Sequence, residues 1–272
     1  MNQPEPDTAA PTVRPDDARA AAAPARPDPW AELRAFTPAR IALGRSGTSL
    51  PTAEVLRFGL AHAQARDAVH CALDVEALQQ ALGGPGMPPV RPVRSAAPDR
   101  HRYLLRPDFG RRLHPDDAAA LRAAAAGGPA PDVVFMLGDG LSALAVQRHA
   151  APLVRQLLAR TPPGWSIGPL VIATQARVAL GDAVGEALGA GFVAVLIGER
   201  PGLGSPDSLG VYLTAQPRVG RMDAERNCLS NIRAEGLSIE AAAHKLWWLL
   251  QRARAIGGTG TQLKDESDRL LP

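Results

Sequence analysis

Aromatic side chains are scarce in this chain, at 4% of its 272 residues, so Ala, Val, Leu and Ile must fill any core it has. Lysine is scarcer still. It stands only at Lys245 and Lys264, and every other basic residue is arginine. Alongside abundant Ala, Gly and Pro this is a compositional bias, and arginine richness alone carries little functional weight. The two cysteines, Cys71 and Cys228, cannot make a disulfide framework, and no Cys/His cluster has zinc-ligand spacing. No apolar run reaches the roughly 18 residues of a membrane span. The N-terminus, with Glu5 and Asp7, lacks the basic-then-apolar pattern of a secretory leader. These absences predict a cytoplasmic protein that makes no membrane contact. The net charge of +3 is mild and mixed in sign. The densest basic window, DRHRYLLRPDFGRRLH at 99–114, reads as a solvated, partly ion-paired surface rather than a nucleic-acid stripe, with a phosphate-bearing ligand or an acidic partner between those two.

An apolar fraction of 46% makes a sizeable core feasible. Residues 1–29 are Pro, Ala, Asp and Arg with almost no large apolar side chain, and are expected to form a disordered tail. Trp30 is expected to open the packed region. A helical portion should follow from 30 to 130. Residues 51–72 read as helix, with Thr48 or Ser49 as cap, Pro51 in the first turn, and Leu56, Leu60, Ala63 and Val69 near one face. A short helix from a capping Asp74 to Leu82 ends at Gly83-Gly84. Residues 85–98, rich in proline, predict an irregular crossing, Tyr103-Leu104-Leu105 a short strand, and Pro115 to Ala126 a helix.

The pattern changes from 131 to 272. Short apolar runs at 133–137, 170–173 and 192–197 suit strands buried on both faces. Helices at 142–160 and 182–188 separate them, a further strand is expected at 211–213, and Ser238 caps a final helix to about Ile256. Alternating strands and helices imply right-handed crossovers and an α/β fold with a Rossmann-like parallel sheet. Three loops would then share one sheet edge: Gly138-Asp139-Gly140, Thr174 to Val178, and Gly198 to Gly202. Open α/β sheets bind ligands outside the carboxyl ends of their strands. The stretch 195–233, VLIGERPGLGSPDSLGVYLTAQPRVGRMDAERNCLSNIR, is a Gly/Pro-rich loop after a buried strand, suited to close backbone approach by a ligand.

The chemistry of these loops is sparse. Gly138-Asp139-Gly140-Leu141-Ser142-Ala143 matches G-x-G-x-x-A, which makes a stand-alone dinucleotide-binding protein the alternative reading. Against it, Asp139 would face a pyrophosphate, so a tight turn with Asp139 or Ser142 capping the helix is preferred. Ser142 and His149 lie about 10 Å apart along one helix, and no G-x-S-x-G elbow exists, which excludes a conventional serine hydrolase. Glu199 either braces its loop by pairing with Arg200 or contacts a ligand. Cys228 reads as a small buried residue. No acid–base constellation emerges, which fits a chain that holds a cofactor while another chain supplies the reacting groups.

HAQARDAVH at 62–70, YLLRPDFGRRL at 103–113, FMLGDGLSALAV at 135–146, the stretch 195–233 and LKDES at 263–267 resemble the small (light) subunit of ethanolamine ammonia-lyase, in family order over about 30–269. The resemblance implies a helical N-terminal portion, a cobalamin-binding Rossmann-like domain at 131–272, and a TIM-barrel large subunit that binds ethanolamine. Six large and six small subunits would form a hetero-dodecamer. Adenosylcobalamin would lie between the subunits and start a radical rearrangement that gives acetaldehyde and ammonia. It places cobalamin contacts on Val178, Glu199 and Cys228, with no catalytic residue and no protein metal ligand on this chain. No D-x-H-x-x-G motif is present, since Asp67 and His70 have the wrong spacing, so the cofactor is expected base-on. The N-terminus shows no clear amphipathic helix of the kind that packs some family members into ethanolamine-utilisation microcompartments, and leaves that residence open.

Overall fold

The structure, a computed structural model, describes residues 26, 28–37 and 39–270. Its contacts divide the chain into two units, one ending at Ala61 and the other beginning at His62. In the first, a 3-10 turn at Ala31–Ala35 precedes helix α1 (Thr52–His70). Arg26 and Arg45 exchange backbone hydrogen bonds at 2.8 and 3.2 Å, and Glu54 pairs with Arg57 and Arg34. The expected tail, apart from residues 26, 28 and 29, lies outside the described residues. Trp30 does not open a packed region, because it is 67% exposed. Leu56, Leu60 and Ala63 on α1 are also exposed, and the residues that helix buries are Ala61 and Ala68.

The second unit runs α2 (Val75–Leu82), β1 (Val90–Arg94), α3 (Arg100–Leu105), α4 (Pro115–Ala125), β2 (Val133–Gly138), α5 (Ala143–Ala159), β3 (Leu170–Thr174), α6 (Leu180–Ala187), β4 (Phe192–Gly198), β5 (Leu209–Ala215), β6 (Arg226–Ile232) and α7 (Ile239–Ile256). The six strands form one sheet in the order β1-β3-β2-β4-β5-β6. Every residue of β2 and β4 is buried, because helices cover both faces of the sheet. The two-residue period sorts side chains between those faces. Phe135 and Leu137 pack in one cluster with residues of α2, α5 and α7. Val134 and Met136 pack in the other with residues of α4 and α6. The expected caps form: Asp74, Ser142 and Ser238 each accept a backbone N–H from three residues on, and Gly257 ends α7 at φ 76°.

Four sequence expectations need correction. First, the sheet is mixed rather than wholly parallel. β1, β3, β2 and β4 run parallel, whereas β5 is antiparallel to β4 and β6 antiparallel to β5. A parallel return needs a crossover of about a dozen residues or more, and the connections 199–208 and 216–225 are too short for one. Second, residues 90–94 are not an irregular crossing but the edge strand β1, where Pro92 is tolerated because an edge leaves one side of the ladder unpaired. Third, Tyr103–Leu105 belong to helix α3. Asp99 accepts the Arg102 N–H at 2.8 Å, and that cap outweighs a three-residue apolar run. Fourth, β6 was hidden inside a polar segment. It is the other edge, and among its residues only Arg226, Leu229 and Ile232 are buried. Among the described residues no helix is long and apolar enough to cross a membrane.

A buried ion pair ties the antiparallel half to α6. Arg226 Nη1 and Nη2 each donate to an Asp182 carboxylate oxygen at 2.7 Å, and Nη1 also reaches Thr214 Oγ1 at 2.8 Å. Both side chains are within 2% of complete burial. Burial pushes the Asp182 carboxyl up, and the Arg226 bonds pull it back. Removing one partner strands the other charge. Asp182→Ala is therefore expected to cost about 3–5 kcal/mol in urea denaturation, with the Asp182→Leu/Arg226→Met double variant recovering most of that loss.

Candidate functional site

The loops after β2, β3 and β4 meet at one sheet edge, as the alternation pattern predicted. Their convergence depends on Asp139. Its buried carboxylate accepts the backbone N–H groups of Gln175 and Ala176, both at 2.8 Å, and faces Arg100 Nη1 at 3.4 Å. Burial pushes this carboxyl up, while the two amides and Arg100 hold it down. Gln175 sits at φ 55°, a left-handed conformation that costs a non-glycine residue about 1–3 kcal/mol. The bond from its N–H to Asp139 is what retains it. Asp139 thus caps the loop after β3, and the N-cap of α5 is Ser142 alone.

The GDGLSA turn is closed to a pyrophosphate. Gly140, at φ 56°, packs so tightly that a Cβ there would stand 2.2 Å from the Gly198 carbonyl oxygen. Leu141 N–H already donates to that oxygen at 2.9 Å. Backbone and a carboxylate occupy the positions a phosphate would need, so the dinucleotide reading is not favoured.

Behind the loop, Arg100 donates to the Gly140 carbonyl and to the Val69 carbonyl, both at 2.8 Å. The Tyr103 ring lies between two guanidinium groups, with Arg100 at 4.8 Å and Arg177 at 4.4 Å from its centroid, and its hydroxyl donates to the Ala176 carbonyl at 2.9 Å. Burial and the Asp139 charge hold the Tyr103 phenol well above its ordinary value, so it stays protonated. Gly110 permits this stack, because a Cβ there would come within 2.8 Å of the Tyr103 ring and 2.9 Å of Arg177 Cγ. This explains the distinctive YLLRPDFGRRL motif, which builds the wall that carries Arg177 and Val178.

Along this edge lies a cleft of two adjoining hollows of about 450 and 340 Å³. Both are lined by Arg177, Val178 and Tyr212. The larger also takes Ile197, Glu199, Arg200 and Ser230. Val178 and Glu199 therefore face one cavity. Glu199 does not pair with Arg200. Its carboxylate accepts Ser208 Oγ at 2.5 Å, Ser230 Oγ at 2.6 Å and Asn231 N–H at 3.2 Å, which leaves about one of its four lone-pair sites free. Cys228 corrects the buried-residue expectation: it is exposed, opposite Tyr212 in the β5–β6 ladder. Partial desolvation raises its thiol, the Tyr212 hydroxyl works the other way and the Glu199 charge adds to the rise. Nothing there generates a thiolate. The sequence could not place Tyr212 and Ser230 in the cleft: a strand is expected at 211–213, but not its antiparallel pairing, and Ser230 lies in a segment read as polar tail.

The long 199–208 connection is pinned to α5. Asp207 accepts Arg148 Nη1 at 2.8 Å and contacts His149 Nε2 at 3.4 Å, and Ser142 Oγ donates to the Pro206 carbonyl at 2.8 Å. Burial works to raise the Asp207 carboxyl, but the Arg148 and His149 hydrogen bonds outweigh it and hold the group below its usual range. A depressed carboxylate stabilises the fold above its unfolded pKa, about 3.9, and that contribution is lost as pH falls through the folded value. Asp207→Asn should accordingly lower the urea midpoint at neutral pH, with the gap to the parent protein closing below about pH 4. Asp139→Asn replaces an acceptor oxygen with a donor facing backbone N–H groups. It should cost about 1–3 kcal/mol and speed amide hydrogen exchange at Gln175 and Ala176.

A family model described as the ethanolamine ammonia-lyase light chain matches residues 27–264. A protein of Xanthomonas campestris pv. campestris named ethanolamine ammonia-lyase small subunit is 59% identical over 247 residues, covering 90% of each chain. Proteins of the same name from Azotobacter vinelandii and Pseudomonas putida are 55% and 52% identical, covering 90% and 89% of this chain and 91% and 89% of their own. The cleft and its three supporting loops lie inside the matched region, and the chain belongs to the ethanolamine ammonia-lyase light chain family.

Proposed function

We propose that this chain is the small subunit of an adenosylcobalamin-dependent ethanolamine ammonia-lyase, a carbon–nitrogen lyase that turns ethanolamine into acetaldehyde and ammonia. The observation that carries the reading is the convergence of Val178 and Glu199 in one cleft, with Cys228 opposite Tyr212 at its edge. We take residues 131–272 as the Rossmann-like cofactor-binding domain, its sheet completed by the edge strand β1 from the otherwise largely helical 30–130 portion before it. The large subunit, a TIM barrel present in equal number in a dodecamer of six and six, would carry the ethanolamine site.

The cleft suits such a ligand. Its two hollows share Arg177, Val178 and Tyr212 and so extend one surface, as a wall shared with a second chain would. Apolar Val178 and Ile197 stand beside polar Glu199 and Ser230, which matches a flat macrocycle rimmed with amides. Val178 offers apolar contact to the macrocycle, and the free acceptor capacity of Glu199 suits an amide N–H. Cys228 leaves room at the edge and plays no covalent part. When bound, the cofactor supplies the radical chemistry through its cobalt–carbon bond. This chain contributes position and exclusion of water, and no acid or base of its own.

Co-expression with the large subunit should give a complex that releases ammonia from ethanolamine only when adenosylcobalamin is added, with an absorbance spectrum of base-on cobalamin. Glu199→Ala should weaken cobalamin binding about tenfold, the cost of one charge-assisted hydrogen bond. A base-off spectrum with a histidine ligand contradicts the expected coordination. Unchanged cobalamin affinity in both Glu199→Ala and Cys228→Leu would make the chain a scaffold instead.

A further inference from the structure

We infer that Arg177 is an anion-recognition residue of the cleft, and that the group it takes is a phosphodiester, the negatively charged part of cobalamin's nucleotide loop. The inference rests on the cobalamin reading and specifies which part of the ligand meets which part of the wall.

Among the described residues Arg177 lacks an anionic partner. No carboxylate or carbonyl among them accepts from its guanidinium, and its Nε is buried without a partner. Buried N–H groups are rarely left unmet, and doing so costs about 1–3 kcal/mol. An arginine cannot relieve that cost by losing its proton. Other arginines near the cleft are differently placed. Arg100 is bound to Asp139, Gly140 and Val69, Arg221 to Glu225 and Gln216, and Arg226 to Asp182.

The side chain is nevertheless held in place. Its backbone N–H donates to Gly110 at 2.8 Å and its carbonyl accepts from Leu180 at 2.9 Å. Its guanidinium stacks over Tyr103, and its stem fits against Gly110 with no room for a Cβ. With Nε buried, the unused Nη1/Nη2 edge is the part left to the cleft, and a fixed edge of that kind suits bidentate recognition of phosphate. The nearby carboxylates do not neutralise it. Glu199 accepts from Ser208, Ser230 and Asn231 and makes no ion pair with Arg177, and Asp223 stands against Arg226 at 3.6 Å. Arg111 adds a second positive charge at the smaller hollow. The amides around a corrin ring are neutral, whereas the phosphodiester carries a charge. An unpaired cation fixed along the length of the cleft matches that group.

The discriminating probes are cobalamin and cobinamide, the same corrin without the phosphate and nucleotide. Dissociation constants for both are measured by ultrafiltration and absorbance on the two-subunit complex, as parent and as Arg177→Met, a variant that keeps an apolar stem on Tyr103. The parent should prefer cobalamin. Arg177→Met should reduce that preference at least tenfold, with cobinamide affinity unchanged, and Arg177→Lys should restore part of it. Equal losses for both ligands, as from a contact to a corrin amide or a disturbed fold, would overturn the inference and leave the cobalamin reading standing. No loss for either would do the same. A parent complex that binds neither corrinoid overturns the cobalamin reading and this inference with it.

Discussion

The candidate site depends on one buried carboxylate. Asp139 gathers the loop after β3 by two backbone hydrogen bonds and faces Arg100, which in turn holds the turn after β2 through the Gly140 carbonyl. A carboxylate out of water must have its oxygens met by donors, and here the donors come from the loop after β3 and from Arg100 on α3. The cost of desolvating Asp139 thereby becomes a geometric constraint on the loop after β3 and on Arg100, which must hold their donors against it. The left-handed Gln175, the Tyr103 stack and the position of Val178 all follow from that arrangement.

A second constraint is steric. The turn after β2 and the end of β4 touch backbone to backbone, and a Cβ at Gly198 would stand 2.0 Å from the Ser142 carbonyl oxygen. The glycines that made this region look like a nucleotide-binding turn are used to bring two strand ends together. The ligand surface lies one step further out, where side chains of β3, β4, β5 and β6 or their loops face a common hollow. The antiparallel half of the sheet is therefore part of the site. β5 contributes Tyr212 and β6 contributes Ser230, and the Arg226–Asp182 pair anchors β6 to a helix of the parallel half.

Elements with strong periodic signals were legible in the sequence. The buried strands β2, β3 and β4, helix α5 with its Ser142 cap, and helix α7 with its Ser238 cap all fall within a few residues of their expected bounds. The elements that escaped have weak or conflicting local signals. β1 carries a proline, β6 is polar on its open side, and α3 is announced by Asp99 rather than by the apolar run at 103–105. The apolar residues of α1 also misled, because Leu56 and Leu60 are exposed, and periodicity tells which side chains share a face but not whether anything covers it.

Sequence alone determined the α/β class, the single edge where three loops meet, and the family, because short-range periodicity and long specific motifs are properties of the chain itself. Val178 and Glu199 could be named from those motifs. Tertiary structure decided the rest: that two strands return antiparallel, that Asp139 braces a loop rather than capping a helix, that Glu199 is satisfied by Ser208, Ser230 and Asn231 rather than by Arg200, and that Arg177 faces the cleft with its charge unpaired. Each of these depends on groups far apart in the chain. Hydrogen-bond satisfaction and charge pairing are settled only when distant segments share a space, and no local pattern records who the neighbours will be.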